Sequence, residues 1–184
     1  AQTGVLPADG GKHAGQMLDG SPGAVLLFGI EPQFDFAETT RAVKALLSAK
    51  VVACTAYVTA QLQDLADVIL PIGLLPEVQG TVTNLNGVEQ AAEAAGKLPG
   101  SAQSGWRVLR ALYDECKLPA MDFVDIAQLR GKIVKQAVTS GTGLAVLGAA
   151  QDGFERISSS AIYRVDAVTR RAHALQSHPL TSGA

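Results

Sequence analysis

The chain is poor in cysteine, in aromatic residues and in net charge, and each shortage closes off a class of function. Its two cysteines, Cys54 and Cys116, stand 62 positions apart, with no CxxC pair and no histidine beside either. Zinc and iron–sulfur sites need clustered ligands, so neither can be assembled from this set, and both thiols are expected to be ordinary buried groups. Lys and Arg number 15 against 17 Asp and Glu, a net charge of −2. That balance does not suit a module that grips nucleic acid by neutralising phosphates. The longest uninterrupted apolar run, Ala24 to Ile30, is seven residues, against the roughly 20 that a membrane-spanning helix requires. No direct membrane span is expected. The opening Ala-Gln-Thr-Gly-Val-Leu-Pro lacks both a basic and an apolar leader region, so the chain reads as a piece of something longer.

What is present suffices for a globular core: 47% of the 184 residues belong to the hydrophobic set, and a chain of this length needs no disulfide or metal staple. The charge is split. Residues 1–96 hold 4 basic and 10 acidic side chains, and residues 97–184 hold 11 basic and 7 acidic. Such blocks mark solvated faces in the first instance and a docking surface in the second.

The run Ala24-Val-Leu-Leu-Phe-Gly-Ile30 follows Gly20-Ser-Pro-Gly23 and predicts a central strand covered on both faces. Asp35 precedes a stripe of Phe36, Ala37, Thr40, Val43, Leu46 and Leu47, with Glu38 three residues on, and predicts a capped helix over 35–48. Residues 50–55 form the next β-branched run, 59–66 a short helix, and Asp67-Val-Ile-Leu-Pro71 a third strand stopped by proline. This β-α-β-α-β order predicts an α/β fold with a Rossmann-like, doubly wound and mostly parallel sheet. Beyond Pro76, Thr81 to Leu85 and Val88 to Gln90 flank Asn86-Gly87, a favoured two-residue turn for a β-hairpin. Residues 91–105 read as a connector. Trp106, Val108, Leu109, Leu112 and Tyr113 predict a helix ending near residues 117–119, and if its indole is buried, Trp106→Ala costs about 3–5 kcal/mol. Asp122 and Asp125 compete to cap a further helix running to about Val138. Thr139 to Gly143 is a linker, Leu144 to Ala150 an apolar patch, and residues 162–175 predict a helix from Asp166 with Arg170 and Arg171 exposed. The organisation is therefore a lead-in over 1–19, a Rossmann-like domain over 20–120 and a helical C-terminal extension over 121–184.

A doubly wound sheet takes ligands at the carboxyl ends of its strands. The turn after Ile30 is Glu31-Pro32-Gln33, without the glycines of a dinucleotide fingerprint or the Gly-Lys pair of a P-loop, and the Glu31 carboxylate repels phosphate. Nucleophilic catalysis has no elbow serine, and His13, His173 and His178 are scattered. Asp64, Asp67, Asp114, Glu115, Asp122 and Asp125 fit capping and helix-dipole roles. The run Glu77-Val-Gln-Gly80-Thr-Val-Thr-Asn84 is different, because it follows a strand's carboxyl end and offers polar groups to a ligand.

Here the residues resemble a known family. Ala66-Asp-Val-Ile-Leu-Pro71, Glu77-x-x-Gly80-Thr81, Thr83-Asn84, Gly87 and Gln90 are similar in order and spacing to the molybdopterin oxidoreductase segment ADVVLP…ExxGTxTNxEGRxQ. Gly105-Trp-Arg-Val-Leu-Arg-Ala-Leu112 and Ile162-Tyr-x-x-Asp166-Ala-x-x-Arg170-Arg-Ala172 with Leu175-Gln resemble the C-terminal region of the large iron–sulfur subunit of bacterial respiratory complex I, a branch of the same superfamily. The resemblance covers most of residues 20–176. It implies a domain whose parent passes electrons from NADH towards quinone, with iron–sulfur clusters in an N-terminal part outside this chain and no cofactor, metal or catalytic residue in this part. It also implies as partners that N-terminal part and other subunits of the hydrophilic arm, on the cytoplasmic side of the bacterial inner membrane. The family's EGR is replaced by Asn86-Gly87-Val88, which removes an acid and an arginine from a phosphate site. Glu77, Gly80, Thr81, Thr83 and Asn84 are then vestigial candidates for cofactor contact. Two other readings stay open: a formate dehydrogenase-like enzyme in which Thr83 and Asn84 still touch the pterin, and a stand-alone Rossmann module for a small ligand.

Overall fold

A computed structural model describes residues 11–36, 38–84, 86, 88–119, 122–132 and 162–178. Its centre is a parallel sheet of β1 (Ala24–Phe28), β2 (Lys50–Thr55) and β3 (Val68–Pro71), ordered β1-β2-β3. Leu26 stands opposite Val52 and Val52 opposite Val68. The α/β architecture with a parallel sheet, an antiparallel hairpin and helices is as the sequence predicts.

Three particulars differ. The central strand is β2 and not β1, which forms an edge of the sheet among the described residues. The helix expected over 35–48 starts only at Thr39, as α3 (Thr39–Leu47), and an extended Phe36 divides it from a separate short helix, α2 (Pro32–Asp35). The division has a local cause, since Asp35 does not cap α3: its Oδ2 accepts from the Glu31 backbone N–H at 2.7 Å, closing α2 as a single turn. Both crossovers also run to one side of the sheet. Strands added successively in one direction through right-handed crossovers place their helices on the same face. Accordingly Leu46 of α3 and Leu62 and Leu65 of α4 (Ala60–Leu65) pack with Leu27, Val51 and Ala53 in one core cluster. The Thr59 hydroxyl caps α4 by accepting from Leu62 N–H at 3.2 Å.

The opposite face carries Leu26, Phe28 and Val68, each more than 40% exposed. It is partly covered where α5 (Gly105–Glu115) begins: a Cβ built on Gly105 lies 2.5 Å from Phe28 Cζ, so a residue without a side chain allows this approach. Gln103 extends the sheet beyond β3 through a parallel bridge with Ile72. No residue of α5 is fully buried, and Trp106 is half-buried, with Phe123 at a ring separation of 6.0 Å. Of the two cysteines, Cys54 is buried, which pushes its thiol pKa up, whereas Cys116 is exposed because it ends the solvated side of α5.

The hairpin joins β4 (Gly80–Thr83) to β5 (Glu89–Ala92). Thr83 faces Glu89, and Asn84 N–H donates to Val88 C=O at 3.0 Å. This bond between Asn84 and Val88 leaves three positions between its partners, one more than the two-residue turn read from the sequence. Before β1, the His13 ring caps α1 (Ala14–Asp19), its Nδ1 accepting from Gln16 N–H at 3.3 Å. Asp125, rather than Asp122, caps α6 (Ile126–Lys132) by accepting from Gln128 N–H at 2.8 Å. Asp122 instead pairs with Lys132, whose ammonium holds its carboxyl below the usual range. The continuation of this helix to Val138, the linker at 139–143 and the patch at 144–150 lie outside the described residues. The helix predicted from Asp166 is replaced by two 3₁₀ turns, Ile162–Arg164 and Thr169–Arg171, and by α7 (His173–Gln176). Asp166 is the reason: its Oδ1 accepts from Val168 N–H at 2.8 Å and from Thr169 N–H at 3.0 Å, a turn-forming pattern. Among the described residues no helix is long and apolar enough to cross a membrane.

Candidate functional site

The carboxyl ends of β1, β2 and β3 open on one side of the sheet, where this class of fold receives its ligands. The two halves of this crevice are in opposite states. At β1 and β2 the crevice is filled. Glu31, three residues beyond β1, is 4% exposed, and Arg171 meets its carboxylate with a two-pronged contact, Nη1 to Oε1 at 2.9 Å and Nη2 to Oε2 at 2.6 Å. Arg170 donates from Nη2 to Asp35 Oδ1 at 3.0 Å and reaches Glu31 Oε1 from Nη1 at 3.4 Å. The guanidinium groups also lie over aromatic rings, Arg170 at 4.5 Å from the Phe34 centroid and Arg171 at 3.7 Å from that of Tyr57. Hydrogen bonding to Glu31 raises the Arg171 pKa further above its ordinary value. The expectation that both arginines are exposed is overturned, since the Arg170 side chain is 5% and that of Arg171 30% exposed. A buried carboxylate requires cations, and these two supply them.

At β2 and β3 the crevice is open, with a cavity of about 410 Å³ lined by Tyr57, Ile72, Leu74, Glu77, Gly100 and Ala102 among others. It sits behind the 3₁₀ turn Leu75–Glu77. Glu77 faces it, but its carboxylate is already engaged, Oε2 accepting from Leu74 N–H at 2.9 Å. Among the described residues no basic side chain lines this cavity. A shallower hollow of about 300 Å³ lies between the hairpin, α5 and α6, where Arg107 stands with Glu77 and Asp125.

Of the five residues singled out from the sequence, Glu77 alone lines the open cavity, while Gly80, Thr81, Thr83 and Asn84 lead away along the hairpin. Three of these four turn polar groups to the chain itself. Thr81 Oγ1 accepts from Arg130 Nε at 3.0 Å and Gly80 C=O from Arg130 Nη2 at 2.8 Å, tying α6 to β4. Asn84 Oδ1 accepts from the N–H groups of Asn86 and Val88, both at 2.9 Å, and so organises the hairpin end. Thr83 is exposed. Among the described residues no group of three or more His, Cys, Asp or Glu side chains is arranged to hold a metal ion.

The sequence reading missed the group formed by Glu31, Asp35, Phe34, Tyr57, Arg170 and Arg171. A signal for it existed in the charge split, because the acidic first half and the basic second half meet at this point.

Comparison with known proteins agrees with the resemblance read from the residues. Residues 3–115 match the molybdopterin oxidoreductase family. Over 73 residues the chain is 40% identical to the mitochondrial NADH-ubiquinone oxidoreductase 78 kDa subunit of Neurospora crassa, covering 39% of this chain and 9% of the relative. A longer similarity, 26% identical over 164 residues, links it to the NADPH-Fe(3+) oxidoreductase subunit alpha of Geobacter sulfurreducens, covering 78% of this chain and 19% of that one. The chain thus spans a fifth or less of the length of these relatives. Among solved structures, acetylene hydratase from Pelobacter acetylenicus is similar with a TM-score of 0.47 and 20% identity, covering 55% of this chain and 15% of that one. The family match runs from residue 3 to the end of α5, taking in the parallel sheet, Glu77 and the hairpin, and the chain belongs to the molybdopterin oxidoreductase family.

Proposed function

We propose that this chain is a structural and interaction domain of the large iron–sulfur subunit of a complex I-type oxidoreductase, without a cofactor or catalytic residue of its own. Electrons pass from NADH towards quinone through clusters elsewhere in the parent chain. The domain works in the hydrophilic arm, on the cytoplasmic side of the bacterial inner membrane, against neighbouring subunits and the N-terminal part of the parent.

One observation carries this reading: polar groups of Glu77, Gly80, Thr81 and Asn84, four of the five candidates for cofactor contact, are bonded to the chain itself. Molybdopterin is an anionic, phosphate-bearing group and needs cationic or N–H donors. The residues present do not fit it. Among the described residues the open cavity offers the Glu77 carboxylate and no basic side chain, Arg170 and Arg171 are taken up by Glu31 and Asp35, and Arg130 is held by Gly80 and Thr81. Arg107, the basic residue of the shallower hollow, shares it with two carboxylates. The similarity to the 78 kDa subunit of NADH-ubiquinone oxidoreductase supports the choice of parent.

Family membership favours one second reading, a pterin-contacting domain of a true molybdopterin enzyme. The two readings part on the intact parent complex. We expect no stoichiometric pterin in the purified complex, and we expect Thr83→Ala and Asn84→Ala to leave NADH-dependent quinone reduction within about twofold of the unmodified rate once assembly is complete. Stoichiometric pterin, or a selective loss of turnover in a fully assembled variant, replaces the first reading by the second.

A further inference from the structure

Glu31 is a buried carboxylate just beyond β1, on the carboxyl edge of the sheet, the edge at which open α/β sheets bind ligands. Its burial requires a cation. The partners come from 139 and 140 residues further along the chain, and they form a matched set. Each of two adjacent arginines has a carboxylate and an aromatic face: Asp35 and Phe34 for Arg170, Glu31 and Tyr57 for Arg171. All four receptor residues lie on the turns leaving β1 and β2. A planar guanidinium that forks onto a carboxylate and stacks on a ring is a recognition geometry that lysine cannot reproduce.

We propose that the crevice at the carboxyl ends of β1 and β2 is a receptor for paired guanidinium groups, filled in cis by residues 162–178, which take the place of a small-molecule ligand and latch the C-terminal part of the chain onto the sheet.

Contacts within the segment itself hold the docked geometry. Arg170 donates to its own Val165 C=O at 2.9 Å and Arg171 to Ala167 C=O at 2.9 Å, so both guanidinium groups are aimed from one turn. Gln176 Nε2 closes that turn by donating to Tyr163 C=O at 3.0 Å and to Thr169 C=O at 2.9 Å. A phosphate-bearing ligand is excluded twice, by the charge of Glu31 and by the side chains that already occupy the space. The latch stands on the contacts alone and does not depend on the parent assigned above.

The test is amide hydrogen exchange on the full chain, comparing residues 166–177 with the β2 amides. Glu31→Gln and, separately, Arg171→Lys are expected to speed exchange in the segment by about tenfold or more while β2 exchanges as before. Arg107→Gln, which removes an arginine outside the latch, leaves the segment as it was. Inorganic pyrophosphate at millimolar concentration changes nothing in the unmodified chain. If Glu31→Gln loosens the whole sheet, Arg171→Lys decides alone, since that side chain belongs to the segment. Unchanged exchange in the segment of Arg171→Lys overturns the proposal. So does protection of the segment by pyrophosphate, which makes the arginines an anion site instead.

Discussion

The two faces of the parallel sheet are made from the same kinds of residue and live in opposite environments. Val25, Leu27, Val51 and Ala53 point towards the crossover helices and join the core cluster, whereas Leu26, Phe28 and Val68 on the other face remain more than 40% exposed. Side-chain hydrophobicity does not separate these two sets. The order of the strands does, because β1, β2 and β3 are laid down in one direction and right-handed crossovers then carry both helices to one side. Topology, not composition, decides which apolar residue is worth several kcal/mol of stability.

Substitutions on the two faces should therefore differ in size. Leu46 is 1% exposed beneath the covered face, and Leu46→Ala is expected to cost about 3–5 kcal/mol of folding free energy through lost burial and a cavity. Urea unfolding at neutral pH measures it. A cost under 1 kcal/mol would mean that α3 does not pack as described. Trp106 comes next. Its ring is half-buried against Phe123 and carries Arg107 over one face at 5.2 Å, so Trp106→Ala should cost about 1–2 kcal/mol, less than the 3–5 kcal/mol that full burial implies. Leu26→Ala on the open face should cost less than about 1 kcal/mol in the isolated chain. A cost as large as that of Leu46→Ala would show that the open face is covered in solution.

The same contrast explains what could be read from the sequence. The β-α-β-α-β order, the parallel pairing and the hairpin were all visible, because β-branched runs, a Thr59 cap and the stripe of α3 are local signals. The run Ala24 to Ile30 gave no alternation, and a continuous apolar run cannot say which of its faces is covered. Local reading failed in another way at Asp35 and Asp166. Each is placed to start a helix and each spends its carboxylate otherwise, on the Glu31 N–H in one case and on the turn before Thr169 in the other. The candidate site was half visible. Glu77 at the mouth of the open cavity follows from its place after β3, and the hairpin residues follow from a motif whose polar atoms turn out to hold α6 and the hairpin end. The arginine-filled half was hidden because Glu31 and Arg171 are 140 residues apart, and an Arg-Arg pair taken alone resembles a solvated face.

The smallest effect belongs to the start of the sheet, where Asp67 joins β2 to β3. Its Oδ2 accepts from Val51 N–H at 2.8 Å and its Oδ1 from Lys50 Nζ at 2.9 Å, while its own N–H donates to Val51 C=O at 2.9 Å. The backbone bond from Val51, and after it the Lys50 ammonium, hold this carboxyl below the ordinary aspartate range. A carboxyl with a depressed folded-state pKa stabilises the fold at pH values above its unfolded-state value, and loses that contribution as pH falls through the folded one. Asp67→Asn should then lower the urea midpoint slightly at pH 7, and the gap to the unmodified chain should close below about pH 4. The site is exposed enough that salt screens the Lys50 part, so raising the ionic strength should narrow the gap at pH 7 as well. The Val51 bond is less sensitive to salt, and whatever difference survives at high ionic strength measures how far one backbone hydrogen bond fixes the register between β2 and β3. A gap that stays constant from pH 7 down to pH 3 would mean that Asp67 holds the ladder by shape and not by charge.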